Sequence, residues 1–148
     1  MKIDEFIHFA KDNPVCFLAT TDGDQPHVRA LLLFSADKTG FYFGTLSPKK
    51  MSKQLHKNPK VEVCFYNNPH DFAHAKQMRL TGTVVFIDDP ELKHKIHEDH
   101  VFMDELAGRN LESISEVFKI QAGNLHFWTM GDVMNEEHLE HLVFSIKN

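Results

Sequence analysis

The chain is 148 residues long with a formal net charge of −5, and 42% of it is hydrophobic, including 13 phenylalanines. That length predicts a single domain over 1–148 whose core needs no staples, and the acidic balance argues against a general nucleic-acid binder, which needs a basic field to displace counterions. Cys16 and Cys64 stand alone in apolar runs without C-x-x-C spacing, which reads as two buried thiols in a reducing compartment, a disulfide being the minor alternative.

The opening MKIDEFIHFAKDN carries acids and no long apolar run, so it reads as neither a signal peptide nor a membrane span, and the expected location is cytoplasmic. Ile3, Phe6, Ile7 and Ala10 recur at helical spacing, and Asn13-Pro14 stops this first helix. A strand over 15–20 follows, then a turn at Asp22-Gly23, then a long strand over 26–34. A turn from Asp37 to Gly40 leads into an aromatic strand over 40–45. Ser47 is a good N-cap and Pro48 suits the first position of a helix that Asn58-Pro59 ends. Val61, Val63 and Phe65 alternate in the next strand, and residues 67–76 form a polar connection near a ligand site. The strand over 77–88 contains Gly82, which suggests a bulge or a close backbone approach. Asp89-Pro90 caps a second main helix with Leu92, Ile96 and Met103 as core positions. Strands over 116–121 and 125–130 flank a turn at residues 122–124, and residues 136–144 form a short helix or an added tail. Six or so strands in hairpin order predict a small antiparallel barrel, its open edges or ends covered by helices.

The segment from Arg29 to Asn58 carries the strongest functional signal. Lys49 and Lys50 fall in the predicted first turn of a helix, where lysine opposes the helix dipole and a bound phosphate would explain it; the alternative is two ordinary solvated lysines. Arg29 lies mid-strand among apolar neighbours and has the planar fork that suits phosphate; the alternative is an internal salt bridge. Leu31, Leu32, Phe43 and Trp128 offer an apolar wall for a flat ring. Phosphate plus flat ring describes several mononucleotide cofactors, and the residues alone do not choose among them.

Other constellations read as structural. His94, His97, Glu98 and His100 crowd one predicted helix, but no HExxH spacing is present. They read as a solvated face, and no metal site is expected. There is no GxSxG elbow, P-loop or GxGxxG, which favours chemistry carried by a cofactor.

In their order along the chain, these residues resemble the pyridoxamine 5'-phosphate oxidase-like FMN-binding split-barrel proteins, particularly the small general-stress flavoprotein branch. The resemblance runs from the first helix through HFWTM, residues 126–130. The family's RxVLLK strand, which contacts FMN, falls on Arg29, Ala30, Leu31, Leu32, Leu33 and Phe34. Its tyrosine-threonine pair falls on Gly44 and Thr45, so the threonine is kept and the aromatic is absent. The basic pair that grips phosphate falls on Lys49 and Lys50 with Ser47 beside them, a glutamine opening the fifth strand matches Gln77, and the final aromatic pair matches Phe127-Trp128. The resemblance implies a mainly β fold with flanking helices: an antiparallel, Greek-key-like split β-barrel. It also implies FMN as cofactor and a homodimer with FMN at the subunit interface, each site drawing on both chains.

The departures narrow the activity. The oxidase proper ends in an RLHDR-like segment that holds the pyridoxal substrate, whereas no arginine follows Arg109 here, and Phe34 replaces the lysine closing the first motif. The expectation is an FMN-dependent oxidoreductase on another small acceptor, with NADH or NADPH as electron donor and no assigned acid or base. The competing readings are a non-enzymatic flavin store or redox sensor, a haem- or deazaflavin-binding relative, and, least favoured, an oligonucleotide-binding barrel.

Overall fold

The computed structural model describes residues 1–146. Helix α1 (Ile3–Asp12) buries Phe6, Ile7 and Ala10 on one side, as its spacing predicts. Strands β1 (Val15–Asp22) and β2 (Gln25–Leu32) form a hairpin with Gly23 at φ 61° in its turn. The long predicted second strand stops at Leu32, and Ser35–Asp37 becomes a separate short strand, β3, paired with β4 (Gly40–Leu46). Helix α2 (Lys50–Lys57) leads into β5 (Lys60–Tyr66) and β6 (Lys76–Ile87). Helices α3 (Pro90–Asp99) and α4 (Phe102–Ala107) precede β7 (Ser115–Thr129), and β8 (Leu142–Ser145) closes the described chain.

The sheet has eight strands in the order β2-β1-β5-β6-β7-β4-β3, with β8 also on β7, and these neighbours pair antiparallel. It curls into a split barrel and does not close, because β2 and β3, neighbours in the chain, lie at opposite ends of the path. Alternation sets which side faces inward. Cys16, Leu18, Val63, Phe65, Met78 and Leu80 point into a core shared with Phe41, Phe43, Phe118 and Leu125. No helix among the described residues is long and apolar enough to cross a membrane.

Four expectations need correction. Ser47 is not the N-cap: α2 starts at Lys50, its N-cap Lys49 makes no side-chain bond, and residues 47–49 form a turn held by Ser47 N–H on the Ile114 carbonyl at 2.8 Å. Residues 122–124 are not a turn, since β7 runs unbroken through them. Gly123 is there because a Cβ would sit 2.0 Å from the Thr81 carbonyl oxygen of β6. The register of that pair shifts between Gly82 and Val84, the irregularity expected at Gly82. The second main helix breaks after Asp99, which places Met103 on α4. Residues 136–144 hold one turn of 3-10 helix and most of β8, whose Phe144 packs edge-on against Phe41 at 6.1 Å.

Candidate functional site

A cavity of about 260 Å³ opens where β2, the end of β4, the start of β7 and the α3–α4 segment meet. Six predicted site residues line it: Ala30, Leu31 and Leu32 from β2, Gly44 and Thr45 from β4, and Lys49 before α2. Ile96, His97, His100 and Met103 supply the opposite wall. Thr45 Oγ1 is buried with no hydrogen-bond partner among the described residues, an arrangement that native proteins rarely leave unless a ligand or water completes it.

Gly44 shows why the family's aromatic is missing. A Cβ at that position would come within 2.9 Å of Ile96 Cγ2, so α3 occupies the space that a side chain at 44 would need. Ile96 is the only buried residue of α3. The glycine and the helix that covers it therefore belong to one packing solution.

Arg29 lies beside the cavity rather than in its wall. Its Nη1 donates to Thr20 Oγ1 at 2.8 Å and the Leu18 carbonyl at 3.3 Å, and its Nη2 donates to Gln54 Oε1 at 2.7 Å. Thr20 Oγ1 in turn donates to Gln54 Oε1 at 2.6 Å. All these partners are neutral, and no carboxylate among the described residues pairs with Arg29, so its charge is oriented but not neutralised. Burial lowers its pKa from the ordinary arginine value. Gln54 lies four residues after Lys50, on the same face of α2. Ser47 and Lys50 are exposed at the start of that helix and do not line the cavity.

Gln77 and Trp128 lie elsewhere. They face each other across β6 and β7, on the outer side of the sheet. Gln77 Oε1 accepts from Arg79 Nε at 3.1 Å and Nη2 at 2.9 Å, and Trp128 Nε1 is buried without a partner among the described residues. The predicted set therefore divides into two groups within one chain.

The sequence reading missed two features. Glu116 lines the cavity and is fixed by α2: Ser52 Oγ donates to it, and His56 Nε2 lies 2.6 Å from its second oxygen. Beyond the wall, Glu112 contacts both His94 and His97. Glu112, followed by Glu98, raises the His94 pKa, and His94 holds the Glu112 carboxyl below its usual value. Ile96 and Met103 carried an apolar signal; the two glutamates, brought in from a later stretch of chain, carried none.

The thiols point to opposite faces, since Cys16 pairs with Phe65 and Phe17 with Cys64 in adjacent strands, and both are free. That excludes the disulfide alternative in this fold. Burial, with a smaller contribution from Cys64, pushes the Cys16 thiol up to about 12. Burial also raises Cys64, against the lowering influence of Arg79.

The profile of the pyridoxamine 5'-phosphate oxidase family matches residues 2–129. A pyridoxine/pyridoxamine 5'-phosphate oxidase of Anaeromyxobacter dehalogenans is 36% identical over 81 residues, which are 54% of this chain and only 39% of that protein. Among solved structures, a NimC/NimA family protein of Clostridium acetobutylicum superposes with a TM-score of 0.72 at 26% identity, covering 95% of this chain and 92% of that one. General stress protein 26 of Bacillus anthracis gives 0.68 at 19% identity, with 97% and 100% covered. The haem storage protein HutZ of Vibrio cholerae shares the fold at 0.63 and 14% identity, with 85% and 92% covered.

Proposed function

The chain belongs to the pyridoxamine 5'-phosphate oxidase family, and from that premise we propose that it is an FMN-binding flavoprotein acting as an oxidoreductase on a small acceptor. The observation that carries this reading is the buried, unpartnered Thr45 hydroxyl in a cavity walled by β2 and edged by Lys49. Thr45 would bond to the cofactor, Leu31 and Leu32 would pack on it, and Lys49 would hold the phosphate, with Ser47 and Lys50 exposed beside it. Arg29, tied to α2 through Gln54 and without a counter-ion among the described residues, would add charge to the same end. Bound FMN would supply hydride or single-electron transfer. The residues around it would orient the ring and keep water off it.

One chain encloses only part of such a ligand, since about 260 Å³ lies below the roughly 300–1,000 Å³ typical of small-molecule sites. The rest of the enclosure is argued from the outer face of the sheet. Val15 (55% exposed), Phe17 (42%), Val28 (70%) and Leu32 (49%) share that face, and Leu32 also lines the cavity. A homodimer formed through this face would cover the apolar patch. Gln77 and Trp128 stand on the same face several strands away, so a second copy would be the source of these two residues at each site. With its carbonyl engaged by Arg79, Gln77 would offer its amide nitrogen to the cofactor.

The reading departs from vitamin B6 oxidation: after Trp128 the chain forms the Thr129–Asp132 capping box and then β8, and residues 129–148 contain no arginine to hold a second phosphate. NADH or NADPH is the proposed electron donor. A haem-binding reading has one observation in its favour: His100 lines the cavity, and its Nδ1 lies 2.8 Å from the Ile96 carbonyl, which leaves the Nε2 lone pair as a ligand. The visible spectrum of the purified protein separates the two. Flavin bands and released FMN support the first reading, and a Soret band replaces it with the second.

A further inference from the structure

We propose that His94, His97 and Glu112 form a divalent transition-metal site that pins the α3–α4 segment to the start of β7. The ligand atoms of these three residues lie within 4.8 Å of one another. Glu112 Oε1 meets His94 Nδ1, and His97 Nδ1 is 3.3 Å from the same oxygen. One carboxylate oxygen thus faces the Nδ1 atoms of two imidazoles.

The opposite ring nitrogens make this a built arrangement. His97 Nε2 lies 2.8 Å from Asp104 Oδ2, and His94 Nε2 lies 3.1 Å from Glu98 Oε1. Asp104 is itself fixed, because its Oδ1 accepts from the Leu111 N–H at 2.9 Å. A carboxylate on the far nitrogen is the usual support of a metal-ligating histidine, since it fixes the tautomer and aims the other lone pair. With each Nε2–H donated to its carboxylate, the two Nδ1 lone pairs and the Glu112 oxygen converge as three electron donors. A cation between them resolves that convergence. Two ring nitrogens and one carboxylate suit Zn²⁺ and similar borderline ions, and three protein ligands leave a further position for water. Lys93, also on α3, bonds to the Ser113 carbonyl at 3.5 Å and is the nearby competing cation.

The site has a mechanical purpose. Ile96 is the one buried residue of α3, and α4 buries none, so little apolar surface holds this segment down. His97 belongs both to the cluster and to the cavity wall. A bound ion would therefore fix one side of the cavity, whatever the cavity holds.

Untagged protein stripped with chelator and titrated with Zn²⁺ alone, by calorimetry and by thermal melting, tests this. One equivalent should bind per chain and raise Tm. Glu112→Gln and His94→Gln should abolish the stoichiometric site, and Asp104→Asn should weaken it by about 10–100-fold, while His8→Gln and His138→Gln bind like wild type. His94 is exposed and Glu112 half-buried, so these variants should fold, and circular dichroism checks that they do. Absence of stoichiometric binding to the wild type, or undiminished binding in folded Glu112→Gln, overturns the site. Neither result depends on flavin, so the FMN reading stands or falls separately.

Discussion

At the cavity mouth, the two adjacent lysines are not equivalent. Lys49 lines the cavity and Lys50 does not, a distinction invisible in a sequence that placed both in a first helical turn capped by Ser47. Lys49→Ala should therefore weaken FMN binding by about 1.5–3 kcal/mol, as expected for a lost charge-assisted bond. Lys50→Ala should cost under about 1 kcal/mol, as for an exposed ion pair; fluorescence titration of FMN against both variants measures the difference. Cys16 makes a second prediction at this scale. Its thiol is raised in the fold to about 12 from 9.0, so the native state keeps a proton that the unfolded chain gives up. The associated stability is fully present below pH 9 and is lost as pH rises toward about 12. Denaturant melts across that window should show a shallower decline in Cys16→Ala than in wild type, and equal slopes would refute the assignment. Arg29 was readable as a cation seeking an anion because mid-strand arginines are scarce. Its neutral partners, Thr20 and Gln54, come from another strand and a helix and left no local trace.

Among the elements, strand positions were legible wherever apolar and polar residues alternate, as in β1 and β5, and helix ends wherever Asn-Pro follows. The failures share a cause: a residue type with one local meaning serving a tertiary one. Gly123 looks like a turn residue but lets β6 and β7 approach closely. Gly44 looks like a missing aromatic but makes room for α3. Gly44→Ala should destabilise the protein by about 1–3 kcal/mol through overpacking against Ile96. In an Ile96→Ala background the same change should cost close to nothing, because the clashing methyl is gone. A double-mutant cycle of thermal melts measures that coupling, and additive effects would mean that α3 does not rest on Gly44. The α3–α4 segment also explains why its wall of the cavity was legible only in part: Ile96 and Met103 carried an apolar signal, but nothing local showed that this excursion folds back over β2 and β4.

For the whole molecule, the two groups of predicted site residues are reconciled in the proposed reading by a site shared between two chains. Leu32 belongs both to the cavity and to the exposed apolar face, which favours sharing. Val28→Asp, at a position 70% exposed in the single chain, should leave the fold intact, convert a dimer to a monomer in sedimentation velocity, and reduce FMN retention in parallel. A monomeric variant that keeps full FMN affinity would separate the cofactor from the interface. The most direct test of the account is the visible spectrum of freshly purified wild-type protein, followed by mass analysis of the released chromophore. The account predicts a flavin spectrum and one FMN per chain, with occupancy reduced in Lys49→Ala. A colourless protein that takes up no added FMN, or a haem spectrum in its place, would contradict it.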